Sequence, residues 1–178
     1  LVKCIENLVL STDFDAAVNS MLETILEHYS ADRAYIFEFD WTRDVTHNTY
    51  EICRDGVTPE KDNLQNLPIE VVALWVDIFR NQHRKINIIE DVDALKDDPA
   101  RRIEYDCLHP QGIKSLITVP IFVSGELHGF LGVDNPHAHM DAPEMLAQIT
   151  YVAANELQKR TLTDELTVKS YLDPLTGL

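Results

Sequence analysis

Two kinds of side chain in this sequence have the types and spacing to do chemistry: thiols and a histidine-rich string. Cys53 and Cys107 could act together in thiol chemistry, which needs one thiolate and a second thiol within reach. His137, His139 and Asp141 form an H-x-H-x-D string, and imidazole and carboxylate groups are common metal ligands. The string also fits a polar loop that enters a helix, and we favour that interpretation. We predict no metal site.

Motifs of the common catalytic sites are missing from the sequence. It contains no P-loop, no recognisable Ser-His-Asp set and no pair of carboxylates in a catalytic motif. We therefore predict no catalytic residue in this chain.

Aromatic residues recur in the apolar segments and could line a cavity for a small molecule. Aromatic rings with a few polar groups among them are typical of such cavities. Core packing explains each single ring more readily, so the rings favour a cavity only as a group. The set is Phe37, Tyr50, Trp75, Phe79 and Tyr105.

Length, charge and cysteine content narrow the class of protein. The chain has 178 residues, of which 45% are hydrophobic, and this suits one domain with extensions. The net charge of −15 argues against binding to nucleic acid or to an anionic membrane surface. The three cysteines, Cys4 among them, form no disulfide framework, and no apolar run approaches a membrane span. We therefore expect a cytoplasmic protein that makes no membrane contact in this region.

Hydrophobic periodicity predicts the element order α-β-β-α-β-α-β-β-α, preceded by an incoming helix. The last helix has no Gly or Pro between Glu144 and Asp173, so it would be roughly 45 Å long. Asp98 and Pro99 predict the start of the preceding helix, with Asp98 as its N-cap. The predicted helices are 14–29, 69–80, 98–109 and 141–173; the predicted strands are 34–39, 49–54, 85–90, 115–123 and 126–134.

The last two predicted strands carry the strings Val119-Pro120-Ile121 and Gly129-Phe130-Leu131-Gly132, joined by the turn Ser124-Gly125. These strings and the element order resemble the GAF domain, a sensory relative of the PAS fold, over about residues 12–159. The resemblance implies an α+β fold. It would have a largely antiparallel central sheet of about five to six strands with helices packed on it, plus a long C-terminal linker helix.

The resemblance also implies a ligand cavity between the sheet and the segments 88–92 and 101–115. We expect no cofactor, and the N-K-x-x-F-D-E signature of the cyclic-nucleotide members is absent. The ligand itself is not identified by the sequence. The candidate ligand-binding residues are Phe37, Tyr50, Cys53, Trp75, Asp91, Tyr105, Cys107, His109 and Ser115.

Two further activities of GAF relatives are alternatives to core packing of the thiols. Some members attach a bilin through a cysteine beside a histidine, and Cys107 and His109 lie in the corresponding region. One lineage reduces free methionine sulfoxide with closely grouped cysteines, but the spacing here does not match that lineage. Both activities are weaker alternatives to a buried thiol of the core.

The final string Asp173-Pro174-Leu175-Thr176-Gly177-Leu178 resembles the opening of the GGDEF diguanylate cyclase domain. The motif that names that family does not occur in these residues, so we expect no cyclase activity from this chain. The sequence begins at Leu1 rather than Met, and we expect a fragment of a longer protein. The predicted organisation is an incoming signalling helix (1–11), a GAF domain (12–159), a linker helix (160–172) and the start of a GGDEF domain (173–178).

We therefore hypothesise a sensory domain that controls cyclic di-GMP synthesis by an attached cyclase. It would form a homodimer through its N- and C-terminal helices and respond to a small-molecule ligand or a partner. The first alternative is a structural dimerisation module without a ligand. The second is a thiol-dependent free methionine sulfoxide reductase.

Overall fold

The computed structural model describes residues 2–82 and 86–172. The predicted GGDEF start at 173–178 lies outside the described residues, as does Lys85 of one predicted strand. The helices are α1 (Val2–Leu10), α2 (Phe14–Tyr29), α3 (Ala73–Arg80), α4 (Arg102–Leu108) and α5 (Glu144–Leu172). The strands are β1 (Arg33–Asp40), β2 (Val45–Cys53), β3 (Leu67–Pro68), β4 (Asn87–Ile89), β5 (Leu116–Val123) and β6 (Glu126–Asp134).

One six-stranded sheet organises the chain, in the order β3-β2-β1-β6-β5-β4. Every neighbouring pair is antiparallel. The predicted α+β fold with an antiparallel sheet is therefore confirmed. β6 has the predicted bounds, while the two-residue strand β3 was not predicted. The helix after Asp98 begins three residues later than predicted, because Asp98 Oδ1 closes a short turn to the backbone N of Ala100 instead of capping a helix.

Each face of the sheet carries its own apolar core. On one face, Met21, Leu22 and Ile25 of α2 pack with Leu146 and Ile149 of α5. On the other face, α3, α4 and the connecting loops cover a second cluster. Alternation along β1 divides its side chains between the two faces. The second cluster includes Tyr35, Phe37, Trp75, Phe79, Leu108 and Phe130.

Two glycines of the string Gly129-Phe130-Leu131-Gly132 allow β6 to approach β1 closely. A Cβ on Gly129 would lie 2.0 Å from the backbone O of Phe37. A Cβ on Gly132 would lie 2.5 Å from Cε2 of Tyr35, which is its cross-strand partner. Gly132 therefore leaves room for the Tyr35 ring, and this ring faces the second cluster.

Helix α5 changes character along its length. Its first part, as far as Ala154, contributes buried residues to the core, whereas Leu162, Leu166 and Tyr171 are exposed. α1 packs against both α2 and α5. Within the described residues, no helix combines the length and apolar character needed to cross a membrane. The role of α5 as a linker stays a prediction.

Candidate functional site

A cavity of about 40 Å³ lies between the sheet and α3 and α4, at the second apolar cluster. This volume holds roughly three water molecules or a molecule of a few non-hydrogen atoms. Aromatic rings in its lining contact one another: the rings of Phe37 and Phe130 stack with centroids 4.9 Å apart, and Trp75 meets Phe130 edge-on at 5.4 Å. The polar lining residues are Arg33, Tyr35, Asn48, Glu51, Glu60, Glu104, Cys107, Gln111 and Asp134.

A buried arginine lies at one end of the cavity, between two buried carboxylates. Nη1 of Arg33 is 3.6 Å from Oδ2 of Asp134, and Nε is 4.0 Å from Oε1 of Glu51. The guanidinium also donates to the carbonyl oxygen of Thr58 at 2.9 and 3.1 Å and to that of Gln111 at 3.2 Å. Thr58 lies in the loop after β2, and Gln111 lies in the segment after α4. Arg33 therefore connects both of these segments to β1.

The loop after β2 closes over the cavity through a second carboxylate. Glu51 accepts hydrogen bonds from the backbone N–H groups of Glu60 (2.9 and 3.0 Å) and Lys61 (2.7 Å). The side chain of Glu51 is 2% exposed, so these charge-assisted bonds form away from bulk water. The loop is thereby fixed by the same strand that presents Asn48.

The buried environment of the cavity changes the protonation of Asp134. Burial raises the pKa of Asp134 to about 7, although the hydrogen bond from Tyr35 and the charge of Arg33 both act to lower it. The Tyr35 hydroxyl donates to Oδ1 of Asp134 at 2.8 Å. Burial, followed by the Asp134 charge, raises the pKa of Tyr35 well above its usual value, so the phenol keeps its proton.

A bulge in the β1–β2 pair directs Asn48 into the cavity. The register shifts between Ile36 and Phe37, so that Ile36 faces Tyr50 while Phe37 faces Asn48. A bulge of this kind re-aims the side chains that follow it. Asn48 lines the cavity and is 2% exposed. Among the described residues, its Oδ1 has no hydrogen-bond partner, which costs about 1–3 kcal/mol if left so.

Glu104 of α4 forms the wall between the cavity and the surface. Its carboxylate accepts from Nε1 of Trp75 at 2.5 Å and from Nε and Nη2 of Arg101 at 2.8 Å. Glu104 and Val71 line both the inner cavity and a groove on the outer side of α3 and α4. The hydrogen bonds of Glu104 with Trp75 and Arg101 therefore hold α3 and α4 together between the cavity and this groove.

Three of the nine predicted ligand-binding residues line the cavity: Phe37, Trp75 and Cys107. The structure does not bring Tyr50 there, because the bulge leaves it on the α2 face, where its hydroxyl donates to Asp15 at 2.5 Å. Cys53 is half-buried beside Arg33 and Glu51 but is not in the lining.

The remaining four predicted residues lie outside the cavity lining. Tyr105 is half-buried and stacks on the exposed ring of His109 at 4.9 Å. Asp91 is exposed and accepts from the backbone N of Asp93. The backbone N of Ser115 donates to Oδ1 of Asn135 at 3.3 Å. A ligand role for these four residues stays a prediction.

Both described thiols are poorly suited to nucleophilic chemistry. Burial, with the nearby Glu51 carboxylate, raises the pKa of Cys53 to about 11. Burial also raises the pKa of Cys107, which a hydrogen bond from Gln111 opposes. Since the thiolate is the reactive form, the thiol-dependent reductase is disfavoured.

The histidines of the H-x-H-x-D string point to different neighbours. His139 stacks on His28 with ring centroids 4.4 Å apart, while Nε2 of His137 is 3.4 Å from Oδ1 of Asp32. In the part of the chain that the structure describes, no group of three or more His, Cys, Asp or Glu residues is arranged to hold a metal ion.

Sequence reasoning missed most of the polar lining. Arg33, Tyr35 and Phe37 occupy every second position of β1. Side chains at such positions point to the same face of a sheet, so the sequence could have indicated that Arg33 lies on the side of the two rings. Asn48 gave no such signal, because the bulge that redirects it is not evident from composition. Glu51 and Asp134 were overlooked as ordinary strand residues.

Comparisons with known proteins agree with this fold. The model of the GAF domain family matches residues 13–157. The methanogenesis regulatory histidine kinase FilI of Methanothrix harundinacea (strain 6Ac) is 30% identical over 182 aligned positions. The alignment covers 96% of this chain but only 20% of that kinase, so the chain spans about one fifth of its relative.

Solved structures with the same fold include two further GAF domains. The blue-light absorbing form of the PixJ GAF domain of Thermosynechococcus elongatus superposes with a TM-score of 0.69 at 15% identity, over 87% of this chain and 90% of that one. The phycocyanobilin-bound GAF domain from a cyanobacterial phytochrome gives 0.71 at 19% identity, over 91% and 93%. Since the family model spans most of the sequence and the architecture agrees, the chain belongs to the GAF domain family and is a sensory or regulatory domain.

Proposed function

We propose that this GAF domain senses a small ligand in the cavity and transmits its occupancy through α5 to an attached catalytic domain. The observation that carries the proposal is Asn48, a buried amide that lines the cavity and whose oxygen has no partner among the described residues. Buried polar groups are nearly always satisfied, so a ligand or water is expected to complete this one. A ligand with the right donor gains that interaction only inside the cavity.

Strand β6 is the proposed connection between the cavity and α5. Phe130 and Asp134 line the cavity, whereas Leu131 and Val133 pack on the opposite face in the cluster that contains Ile149 of α5. A ligand that displaces β6 would therefore also displace α5, because the side chains between them are closely packed. Tenfold control of output needs about 1.4 kcal/mol of preference for one state, which one or two hydrogen bonds can supply.

We also propose a homodimer formed by α1 and α5. Val9 and Leu10 of α1 and Leu162, Leu166 and Tyr171 of α5 are exposed apolar residues on helices that need a partner. Light scattering should give a dimer mass. Leu166→Glu should lower the measured mass toward the monomer, whereas the neighbouring Thr163→Glu should leave the dimer largely intact; a monomer at all micromolar concentrations contradicts pairing by these helices alone.

The favoured output is synthesis of cyclic di-GMP by a diguanylate cyclase that begins at Asp173. Its support is the resemblance of 173–178 to the start of a GGDEF domain. A histidine kinase is the second candidate, supported by the 30% identity to FilI over nearly the whole chain. Incubation of the full-length protein with GTP and, separately, with ATP distinguishes them, since the first output yields cyclic di-GMP and the second a phosphohistidine.

A structural dimerisation module is the alternative that the small cavity favours, because water alone could fill about 40 Å³. Native mass spectrometry of protein freshly purified from its own host separates the two. The sensor is expected to be a dimer that carries a small molecule, which Asn48→Leu loses and Asn81→Leu, an exposed position, retains. A dimer without any adduct in all three proteins would support the structural module.

A further inference from the structure

The first feature that restricts the ligand is the side-chain oxygen of Asn48. The backbone of this residue is fully used: its N–H donates to the carbonyl of Leu64 at 3.0 Å, and its carbonyl accepts from Nε2 of Gln65 at 2.8 Å. Only the side-chain amide remains to interact with an occupant. Because the atom without a partner among the described residues is the acceptor Oδ1, the occupant should supply a hydrogen-bond donor.

The second feature is an imbalance of charge in the lining. Arg33 is the only Lys or Arg among the described residues that line the cavity, and it pairs with both Glu51 and Asp134. The side chains of all three are at most 5% exposed. Glu104, a further lining carboxylate, is matched by Arg101 from outside the cavity. When Asp134 is ionised, the interior group therefore carries one carboxylate more than its single cation can balance, and an anion would be repelled.

The third feature is the aromatic wall. Phe37, Trp75 and Phe130 line the space and contact one another. The face of an aromatic ring attracts a cation, and tryptophan does so most strongly. The volume of about 40 Å³ limits the occupant to a few non-hydrogen atoms, far below the roughly 300–1,000 Å³ of sites for drug-sized ligands.

We propose that the cavity binds a small organic cation of the protonated-amine class, a proposal that rests on the proposed sensory function. One N–H of the cation donates to Oδ1 of Asn48, its charge balances the surplus carboxylate of the Arg33 group, and its alkyl part contacts the aromatic wall. The same features exclude carboxylates and phosphates as ligands. A bilin such as the one bound by the phytochrome relative does not fit the volume.

Binding of a cation should be linked to the protonation of Asp134. The groups that face this carboxyl are Arg33 and Tyr35 from β1, Glu51 from β2 and Cys107 from α4. A cation nearby favours the ionised carboxylate and so lowers its pKa. Affinity should therefore rise with pH up to about 7, by at most tenfold per unit, and level off above that value.

The test uses methylammonium, acetamide and acetate as probes, each titrated into the protein while the indole N–H resonances are followed by NMR. The chain has two tryptophans, and Trp41, which donates to the carbonyl of Leu127 away from the cavity, serves as the internal control. Methylammonium should shift the Trp75 signal in a saturable way and leave Trp41 unchanged. Acetamide should bind at least tenfold more weakly, and acetate should not bind.

Two variants assign the binding to the proposed groups. Asn48→Leu should weaken methylammonium binding at least tenfold, and Asp134→Asn should remove its pH dependence. Acetate binding in preference to methylammonium in the unmodified protein overturns the cation but leaves the sensory function standing. If no probe shifts the Trp75 signal, the proposal of a cationic ligand is also overturned. If, in addition, Asn48→Leu leaves the output of the full-length protein unchanged, the proposed sensory function is overturned as well.

Discussion

Arg33 and Asp134 face each other across β1 and β6, and their charged groups lie 3.6 Å apart with almost no exposure to solvent. The pair joins the first strand of the domain to the last, at the end of the cavity. Its energetic weight differs from that of a surface ion pair, because removal of Arg33 leaves both Asp134 and Glu51 buried without a cation.

Removal of the buried guanidinium should therefore be costly. We expect Arg33→Met to lower the free energy of unfolding by about 3–5 kcal/mol, since it leaves two buried carboxylates without their cation. The control is Arg54→Met, which breaks the partly exposed pair of Arg54 with Asp32 and should cost about 1 kcal/mol or less. Urea unfolding measures both, and equal losses would show that the buried cluster has no special weight.

The raised pKa of Asp134 gives stability a defined pH dependence. Between about pH 4 and pH 7 the folded protein keeps the Asp134 proton, whereas the unfolded chain has released it. This contribution to stability is therefore lost as the pH rises through about 7, with a limiting slope of about 1.4 kcal/mol per pH unit. The free energy of unfolding of Asp134→Asn minus that of the wild type should rise over this range and then become constant. Parallel pH profiles would contradict the shifted pKa.

The two glycines of β6 should differ in their tolerance of alanine. A Cβ on Gly129 meets the backbone of Phe37, whereas one on Gly132 meets the side chain of Tyr35, which can rotate away. Gly132→Ala should cost about 1–3 kcal/mol by overpacking and by displacing Tyr35 from Asp134, and Gly129→Ala should cost more. Thermal unfolding of the two variants gives the order, and the reverse order would contradict the described strand spacing.

The thiols of the folded protein should react slowly. With the pKa of Cys53 at about 11, its thiolate fraction at pH 7 is about 100-fold below that of an ordinary cysteine. In a Cys4→Ser background, iodoacetamide should modify Cys53 of the folded protein about 100-fold more slowly than Cys53 of the same protein in urea, as measured by peptide mass spectrometry, and Cys107 should also react more slowly than in urea. Rapid modification of Cys53 or Cys107 would revive the thiol-dependent reductase.

The architecture could be predicted from the sequence because its signals are local. Apolar periodicity identified α2 between Phe14 and Tyr29, and the turn at Ser124-Gly125 located the β5–β6 hairpin. Helix α4 began later than predicted because the side chain of Asp98 has two local uses, a helix cap and a short turn, and the choice depends on tertiary packing. Strand β3 is two residues long and pairs only with β2, which leaves no periodic pattern to detect.

The cavity was less predictable, since its polar groups are defined by pairing between distant residues. The bulge opposite Phe37 reverses the alternation of β2, so that Asn48 rather than Tyr50 points toward the cavity. Arg33 and Asp134 are 101 positions apart in the sequence and meet only because β1 and β6 are neighbours. Predicted ligand-binding residues such as Asp91 rest on the family resemblance alone, and no contact in the described structure assigns them to the cavity.

The most direct test of the account is the catalytic output of the full-length protein with and without an altered cavity. Turnover should be measured for the wild type, Asn48→Leu and the surface control Asn81→Leu, each purified from the native host. We predict that Asn48→Leu changes turnover at least threefold while Asn81→Leu matches the wild type. Identical turnover in all three proteins, with the variants folded as judged by circular dichroism, would contradict a sensory cavity.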